Sequence, residues 1–478
     1  MRPLRGAFAR RLLGPLVVCA ALLSACAPQA GPAGSTVTPS AAPSAPSSSA
    51  ASAAAGVSVL VDAALPRLAL ARFLPGAPGW PDRLAGGQTA GDGTADPAPD
   101  VDHGIALGGI GSDLYPAAAP DEYWMVTDRG PNGQVKLKGP NRRTFPVPQF
   151  DPLILRVRAQ AGSPLTILQV IPVTTTDGGP VSGLPNDAAR DEPPYDWTGN
   201  TELPVNPSGL DTEGLVRTPN GEFWLAEEYS PSLLHVSATG TVLGRLVPQG
   251  LTLAGAGYPV TDSLPAVFAD RQGNRGFESL ALVPDGTTLY TAVQSPLADP
   301  DAKTGKTSRA ARVLAVDTAT GRPTAEYVYP LEDVAGFDPG AQGDQSQMKV
   351  SAMAWSGDQL VVDERTDAVT KLYLVRLSGA TNILGGELDD PAHTPSLEQG
   401  TPAGVIVLAK SPLLDVTAAV PSAPTKIEGV AVRDPSTVVL ANDNDFGMRD
   451  GADAFDASGH QNDTGVPSRL LVLHLPAR

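Results

Sequence analysis

Residues 209–231 form one predicted β-hairpin with a glutamate at the start of its first strand and two glutamates at the end of its second. Two short apolar runs flank a Pro-Asn-Gly turn at 219–221, and Asn-Gly tolerates the positive φ that a tight turn needs. Glu213 begins the first run, whereas Glu227 and Glu228 end the second. Because the strands of a hairpin are antiparallel, we expect the three carboxylates to lie together at one edge of a sheet.

The same pattern recurs along the chain. Residues 426–445 align on it without a gap, with Glu428 at the position of Glu213. Looser copies occupy 108–132, 275–294 and 349–365. In these four copies, acids and amides again stand at the start of the first strand or at the end of the second. They are Asp128, Glu278, Asp363, Glu364, Asn442, Asp443 and Asp445. A spacing of very roughly 65 to 100 residues exceeds the usual blade period and indicates a radial array whose blades carry long insertions.

The intervening sequence is typical of an all-β protein. Gly (50) and Pro (48) make up about a fifth of the chain and separate short apolar runs, which favours many strands and turns. We therefore predict a β-propeller with long loop insertions at 174–207 and 299–310, with six blades preferred and five possible. Residues 470–475 are expected to pair with the first N-terminal strand and close the ring, because closure removes sheet edges.

Composition and motifs exclude several function classes. The formal net charge is −17, and no basic patch is interleaved with aromatic residues, so we expect no nucleic-acid partner. The five histidines are scattered without an HExxH or CxxC pair, which argues against zinc chemistry. The absence of a G-x-S-x-G motif argues against the serine nucleophile of an α/β-hydrolase.

The N-terminus carries the pattern of a secretory signal. Four arginines precede the apolar run 12–25, and the sequence Leu-Ser-Ala before Cys26 resembles the bacterial lipobox, in which the cysteine is lipidated. An ordinary signal peptide with an incidental cysteine is the alternative.

We predict three segments from this pattern. Residues 1–25 form the lipoprotein signal peptide, and 26–56, which are nearly all Ala, Pro, Ser, Gly and Thr, form a disordered tether. Residues 57–478 form the propeller domain. The protein is expected to be a monomer in the cell envelope, anchored to a membrane through Cys26 and facing the periplasm or the exterior.

Radially arranged hairpins would bring their acidic ends to one mouth of a central channel. Several like charges held together are costly unless a cation neutralises them, and Ca²⁺, which takes six to eight oxygen ligands, is the natural candidate. The candidate metal ligands are Glu213, Glu278, Glu428, Asn442, Asp443 and Asp445. The alternative is that acids and asparagines occupy strand ends because they form good turns.

Basic residues accompany these acids. Arg129 follows Asp128, and Lys426 lies two residues before Glu428. A mouth with a metal and basic groups suits phosphate or carboxylate esters, whereas simple ion pairing is the alternative reading. We assign Glu228 or Asp128 as the candidate general base, and Arg129 and Lys426 as the groups that stabilise developing charge.

Six short motifs resemble the phytase-like family of bacterial secreted proteins, whose description is "esterase-like activity of phytase". They lie at residues 127–132, 209–214, 223–231, 276–280, 426–430 and 442–447. The resemblance implies a β-propeller with an acidic, calcium-containing channel, and the family name implies phosphoester hydrolysis. The fourth hairpin departs from the pattern, because Ser351 takes the place of the glutamate.

The sequence therefore favours a lipid-anchored, calcium-dependent hydrolase that acts on small phosphoesters. Two alternatives remain open at this point. One is a propeller lactonase or carboxylic esterase, which would use the same metal and release no phosphate. The other is a binding module without catalysis, in which Ca²⁺ only holds the blades together; the fold does not decide among the three.

Overall fold

The computed structural model describes residues 56–76 and 101–476, which belong to one compact unit. The predicted signal peptide and Cys26 lie outside these residues, as does the predicted tether except for Gly56. Strands dominate, as expected from the short apolar runs. None of the helices in the described residues combines the length and apolar character needed to cross a bilayer.

The described strands form five blades around a channel. Strand β1 (Ser58–Ala64) comes first in the chain but belongs to blade 5, the last of the five. Blade 1 comprises β2 (Asp113–Pro116), β3 (Glu122–Val126), β6 (Leu153–Arg158) and β7 (Thr166–Pro172). A small separate sheet is made of β4 (Gly133–Val135), β5 (Arg142–Thr144) and β8 (Pro194–Tyr195).

The next two blades follow in chain order. Blade 2 comprises β9 (Thr212–Arg217), β10 (Phe223–Glu227), β11 (Ser232–Val236), β12 (Val242–Pro248) and β13 (Val260–Leu264). Blade 3 comprises β14 (Phe277–Leu282), β15 (Thr288–Val293), β16 (Ala310–Asp317) and β17 (Arg322–Pro330). The predicted hairpin at 209–231 is thus confirmed as the inner pair of blade 2, with Phe223 opposite Arg217.

The last two blades complete the ring. Blade 4 comprises β18 (Lys349–Ser356), β19 (Gln359–Arg365), β20 (Thr370–Arg376) and β21 (Ala409–Asp415). Blade 5 comprises β22 (Ile427–Asp434), β23 (Thr437–Asn442), β24 (Arg469–His474) and, as its outermost strand, β1. The predicted closure is confirmed, because β1 pairs antiparallel with β24.

Helices are short and lie in the connections. They are α1 (Ala302–Thr307), α2 (Val334–Phe337) and α3 (Val416–Ala419), with 3-10 turns at Leu70–Phe73, Ala266–Asp270, Pro339–Ala341, Gln345–Gln347, Glu387–Asp389, Leu397–Gln399 and Asp445–Gly447. The insertion predicted as a loop at 299–310 therefore contains one helix. Asp301 caps this helix by accepting a hydrogen bond from the Thr304 N–H at 2.8 Å.

The inner strands β2, β9, β14, β18 and β22 contact one another in cyclic order, so the ring closes with five blades in the described residues. The β-propeller prediction is confirmed, but the preferred count of six was wrong and the allowed count of five is observed. The reason lies in the N-terminal strand. It joins blade 5 as an outer strand instead of starting a blade, and each of the five sequence repeats supplies one inner hairpin.

The hydrophobic core is divided among the junctions between neighbouring blades. Tyr329 of blade 3 and Met353 of blade 4 belong to one buried cluster, and Val361 of blade 4 and Leu440 of blade 5 belong to the next. Because both faces of each blade are covered, the inner strands are held rigidly at the channel. The residues at their ends are therefore fixed in position.

Candidate functional site

The repeated acidic position lies on a β-bulge in each of four blades. The strand register skips Glu213 in β9, Glu278 in β14, Ser351 in β18 and Glu428 in β22, so that the residues on either side pair with consecutive partners. A bulge bends the strand and re-aims the extra side chain. The four equivalent residues therefore lie at the same end of the channel, as the sequence alignment predicted.

Three carboxylates from blades 1 and 2 come together at this end. One carboxylate oxygen from each of Asp128, Asp211 and Glu213 lies within 4.8 Å of the other two. Asp128 follows β3, Asp211 immediately precedes β9, and Glu213 is the bulged residue of β9. Asp211 was not among the residues selected from the sequence.

This grouping is electrostatically costly without a cation. Burial, followed by the charges of Asp443 and Asp211, raises the pKa of Asp128 well above its usual range. Burial and the charges of Asp211, Glu278 and Glu428 do the same to the pKa of Glu213. Both shifts mean that desolvation and mutual repulsion destabilise the ionised carboxylates by more than the surrounding hydrogen bonds and positive charges stabilise them.

Arg129 is the one guanidinium in direct contact with this group in the described residues. Its Nη1 lies 3.0 Å from Asp211 Oδ2, and its main-chain N–H donates to Asp211 Oδ1 at 3.2 Å. The guanidinium also donates to Asn274 Oδ1 and lies over the ring of Tyr229, 5.6 Å from the ring centre. One positive charge thus faces three carboxylates.

The adjacent residues Glu227 and Glu228 face different surroundings. Glu227 is fully buried, pairs with Arg245 and accepts hydrogen bonds from Ser232 Oγ at 3.0 Å and from the Tyr229 N–H at 3.1 Å. Burial raises the pKa of Glu227 to about 7. Its bonds hold the end of β10 to its own blade, which is a structural role.

Glu228, by contrast, lies near enough to Asp211 and Glu278 for their charges to act on its carboxylate. Its Oε1 is buried and has no hydrogen-bond partner in the described residues. Burial, followed by the charges of Asp211 and Glu278, raises the pKa of Glu228 well above its usual range. An unpartnered buried carboxylate is costly, which marks Glu228 as a candidate for a functional role.

The opposite half of the mouth is neutralised by the chain's own cations. Lys426 Nζ contacts Asp443, lies 2.5 Å from Asp445 Oδ1 and 3.7 Å from Glu428 Oε2. Arg365 pairs with Glu428 and donates from Nε to Ser351 Oγ at 2.8 Å. Three of the six candidate metal ligands therefore already have a positive partner.

Glu278 lies between the two halves. One of its oxygens accepts a hydrogen bond from Gln294 Nε2 at 2.6 Å, whereas Oε2 is buried without a partner in the described residues. Burial and the charge of Glu428 raise the pKa of Glu278 to about 8, although Arg365 opposes the shift.

Two other acidic or amide positions of the repeat face away from the mouth. Asn442 is fully buried, and its Oδ1 accepts the main-chain N–H of Arg469 at 2.8 Å, which fixes the connection between β23 and β24. Glu364 pairs with Lys410 and accepts a hydrogen bond from Tyr329 Oη at 2.6 Å. Asn442 thus stabilises its own blade, Glu364 links blades 3 and 4, and neither belongs to the carboxylate group.

An arginine-lined cleft adjoins the carboxylate group. Arg129, Arg143, Arg190 and Arg271 line it together with the acids Asp191 and Glu192. Arg271 pairs with Asp191, and Arg143 Nε lies 3.0 Å from Glu192 Oε2. Arg129 and Arg190 also pair with carboxylates, Asp211 and Asp187. Because a guanidinium has five N–H donors, an arginine in an ion pair can still donate to an anion in the cleft.

Sequence reasoning missed Asp211 and three of these arginines. Asp211 lies two residues before Glu213, at the position that Lys349 and Lys426 hold in their own repeats, so comparing the repeats at that position would have found it. Arg143, Arg190 and Arg271 come from insertions outside the repeat. No signal in the sequence brings them together.

Comparison with known proteins gives one relative and several similar folds. An uncharacterized secreted protein of Arthroderma benhamiae is 26% identical over 305 residues, which cover 52% of this chain and 56% of that protein. The chain thus spans about half the length of this curated relative.

Solved structures share the arrangement only loosely. A luciferin-regenerating enzyme matches with a TM-score of 0.32 and 10% identity, covering 78% of this chain and 95% of its own. The RRP9 WD40 repeats match with a TM-score of 0.30 and 10% identity, covering 77% and 95%. The propeller assignment rests on the strand order and ring closure described above.

The family assignment comes from the sequence profile. Residues 105–446 match the phytase-like family, described as "esterase-like activity of phytase". The matched range runs from just before β2 to just after Asp445 and includes every carboxylate discussed here. The chain therefore belongs to the phytase-like family.

Proposed function

We propose that this protein is an extracytoplasmic, divalent-cation-dependent hydrolase of phosphoesters. The observation that supports this most strongly is the group of Asp128, Asp211 and Glu213 beside Arg129, with one carboxylate oxygen from each within 4.8 Å of the other two. Family membership and the name of the secreted relative are consistent with the proposal. The anchor at Cys26 stays a prediction from the sequence.

The residues present fit a hard cation. The group offers only carboxylate oxygens, which are the ligands that Ca²⁺ and Mg²⁺ prefer, and contains no histidine or cysteine. We propose Ca²⁺, held by Asp128, Asp211 and Glu213. Of the six ligands proposed from the sequence, only Glu213 belongs to this group. The other five are Glu278, Glu428, Asn442, Asp443 and Asp445, and we do not retain them as ligands. A bound calcium ion would polarise a phosphoryl oxygen of the substrate.

The chain's own residues supply binding and proton transfer. The arginine-lined cleft beside Arg129 would hold the phosphoryl group by charge-assisted hydrogen bonds. Glu228, with its free Oε1, would accept the proton of the attacking water. We prefer Glu228 to Asp128 as the general base, because Asp128 belongs to the cation group. Lys426 is assigned a neutralising role on Asp443 and Asp445.

The test is phosphate release by the purified protein. p-Nitrophenyl phosphate and inositol hexakisphosphate are offered after chelation and again with Ca²⁺ restored. We expect turnover to disappear with the chelator and to return with Ca²⁺. Glu228→Gln should lower kcat by roughly 10²-fold or more, which is the usual contribution of a general base, while Glu202→Gln, at an exposed carboxylate, should not change it.

Two other outcomes would replace the proposal. Release of acid from p-nitrophenyl acetate or a lactone, without phosphate release from either phosphoester, would favour the lactonase or carboxylic esterase. A folded protein that hydrolyses no ester in either state would favour the binding module.

A further inference from the structure

A second cavity lies at the opposite end of the channel. It has a volume of about 300 Å³ and is lined by residues from the inner strands of all five blades. Each inner strand starts at the carboxylate mouth and ends at this cavity, as with Glu278 and Leu282 of β14. Four residues of extended strand place the two ends about 13 Å apart.

Asp113 lies between this cavity and the mouth. It begins β2, and its carboxylate accepts the main-chain N–H of Leu114 and, from blade 2, that of Leu215, both at 2.7 Å. The main-chain N–H of Val430 in blade 5 also hydrogen-bonds to this carboxylate. The bonds tie three inner strands together between the level of Glu213 and that of Val216. The cavity and the mouth thus lie on either side of a buried, hydrogen-bonded carboxylate.

The lining has the composition of a small-molecule site. Within residues 56–76 and 101–476, no charged side chain lines it, whereas the other end of the channel is dense with charge. Its walls include Leu114, Met353, Val430 and Val432, together with the aromatic rings of Tyr115 and Trp355. Ligand sites are concave and mostly apolar, and their volumes begin at about 300 Å³.

The aromatic wall is held in place without a ligand. Trp355 stacks on Tyr290 with ring centres 5.7 Å apart, and its Nε1–H donates to the Gly357 carbonyl at 2.8 Å. Among the described strands, each inner strand has a paired neighbour on one side only, so main-chain groups face the channel. These main-chain groups provide polar contacts for an otherwise apolar occupant.

We infer that this cavity is a second binding site, distinct from the carboxylate mouth, for a small, uncharged and mostly apolar molecule with a hydrogen-bonding group. A charged ligand would lose its hydration here without gaining a partner. The inference stands apart from the proposed hydrolysis, since it uses none of the mouth residues.

The probe for this site is prodan, an uncharged naphthalene ketone whose emission shifts in apolar surroundings. We expect saturable binding to the full-length protein. Val432→Trp, which narrows the cavity, and Trp355→Ala, which removes its aromatic wall, should each raise the Kd at least tenfold. Val59→Trp places the same substitution on the outer strand of the same blade, where Val59 is 43% exposed, and should leave the Kd unchanged.

Two results would overturn the inference. One is the absence of saturable prodan binding to the wild-type protein. The other is an unchanged Kd in both cavity variants, with their folding verified by thermal unfolding. Glu213→Gln should bind prodan as the wild type does, and a loss of binding there would place the probe at the mouth and contradict a separate site.

Discussion

At the scale of single residues, the two neighbouring glutamates at the end of β10 show how position decides role. Glu227 is satisfied by Arg245 and by its own blade, whereas one oxygen of Glu228 is buried without a hydrogen-bond partner in the described residues. The sequence predicted that both lie at the mouth, but it did not separate them. Arg245 is eighteen positions away on β12, and only the folded blade brings it to Glu227.

We predict opposite consequences for the two residues. Glu227→Ala leaves the Arg245 charge buried and unpaired, which should cost roughly 3–5 kcal/mol of the free energy of unfolding. Glu228→Gln should cost far less, because Glu228 has no cationic partner of this kind in direct contact. Urea denaturation of both variants measures this difference. Equal losses of stability would contradict the assigned roles.

At the scale of elements, the repeated hairpin could be predicted and the bulge within it could not. The Asn-Gly turn of the 209–231 hairpin and the short apolar runs of all five copies are visible in the sequence, and all five copies form inner hairpins. A one-residue shift of register at Glu213, Glu278 or Glu428 leaves no pattern of its own. The bulge nevertheless sets the direction of each of these side chains.

Close approach between blades supports this geometry. A Cβ added to Gly276, two residues before the bulged Glu278, would lie 2.1 Å from the carbonyl oxygen of Glu228. A Cβ added to Gly273, three residues earlier, would have no described heavy atom within 4 Å apart from its chain neighbours. The junction of blades 2 and 3 therefore requires a glycine at 276 and does not require one at 273.

This contrast gives a matched pair of variants. Gly276→Ala should lower the free energy of unfolding by roughly 1–3 kcal/mol, the usual cost of overpacking, and should reduce turnover by displacing Glu228. Gly273→Ala should leave the free energy of unfolding unchanged. Thermal unfolding and phosphate release measure the two effects, and a Gly276→Ala protein as stable as Gly273→Ala and as active as the wild type would show that the close approach is unimportant.

At the scale of the whole molecule, the ring is closed by a strand from the far end of the chain. β1 pairs with β24 over six residue pairs and covers the edge of blade 5. Closure was predictable, because an unpaired edge is a liability for any sheet protein. The number of blades was not, since the sequence does not show whether the first strand begins a blade or completes the last one.

The closing strand can be tested by truncation. A chain that begins at residue 65 lacks β1, whereas one that begins at residue 57 keeps it. The shorter chain should lose at least roughly 3 kcal/mol of stability, because each strand hydrogen bond contributes about 1 kcal/mol net. It should also self-associate through the exposed edge of β24. Urea denaturation and size-exclusion chromatography check the two effects, and equal behaviour would contradict closure by β1.

The proposed function requires that one divalent cation binds at Asp128, Asp211 and Glu213. The most direct test is calorimetric titration of the metal-stripped protein with CaCl₂. We expect one site per chain, at least a tenfold weaker affinity in Glu213→Gln, and an affinity close to that of the wild type in Glu428→Gln, because Arg365 already neutralises Glu428. Absence of binding by the wild-type protein, or binding that survives Glu213→Gln and is lost in Glu428→Gln, would contradict the account.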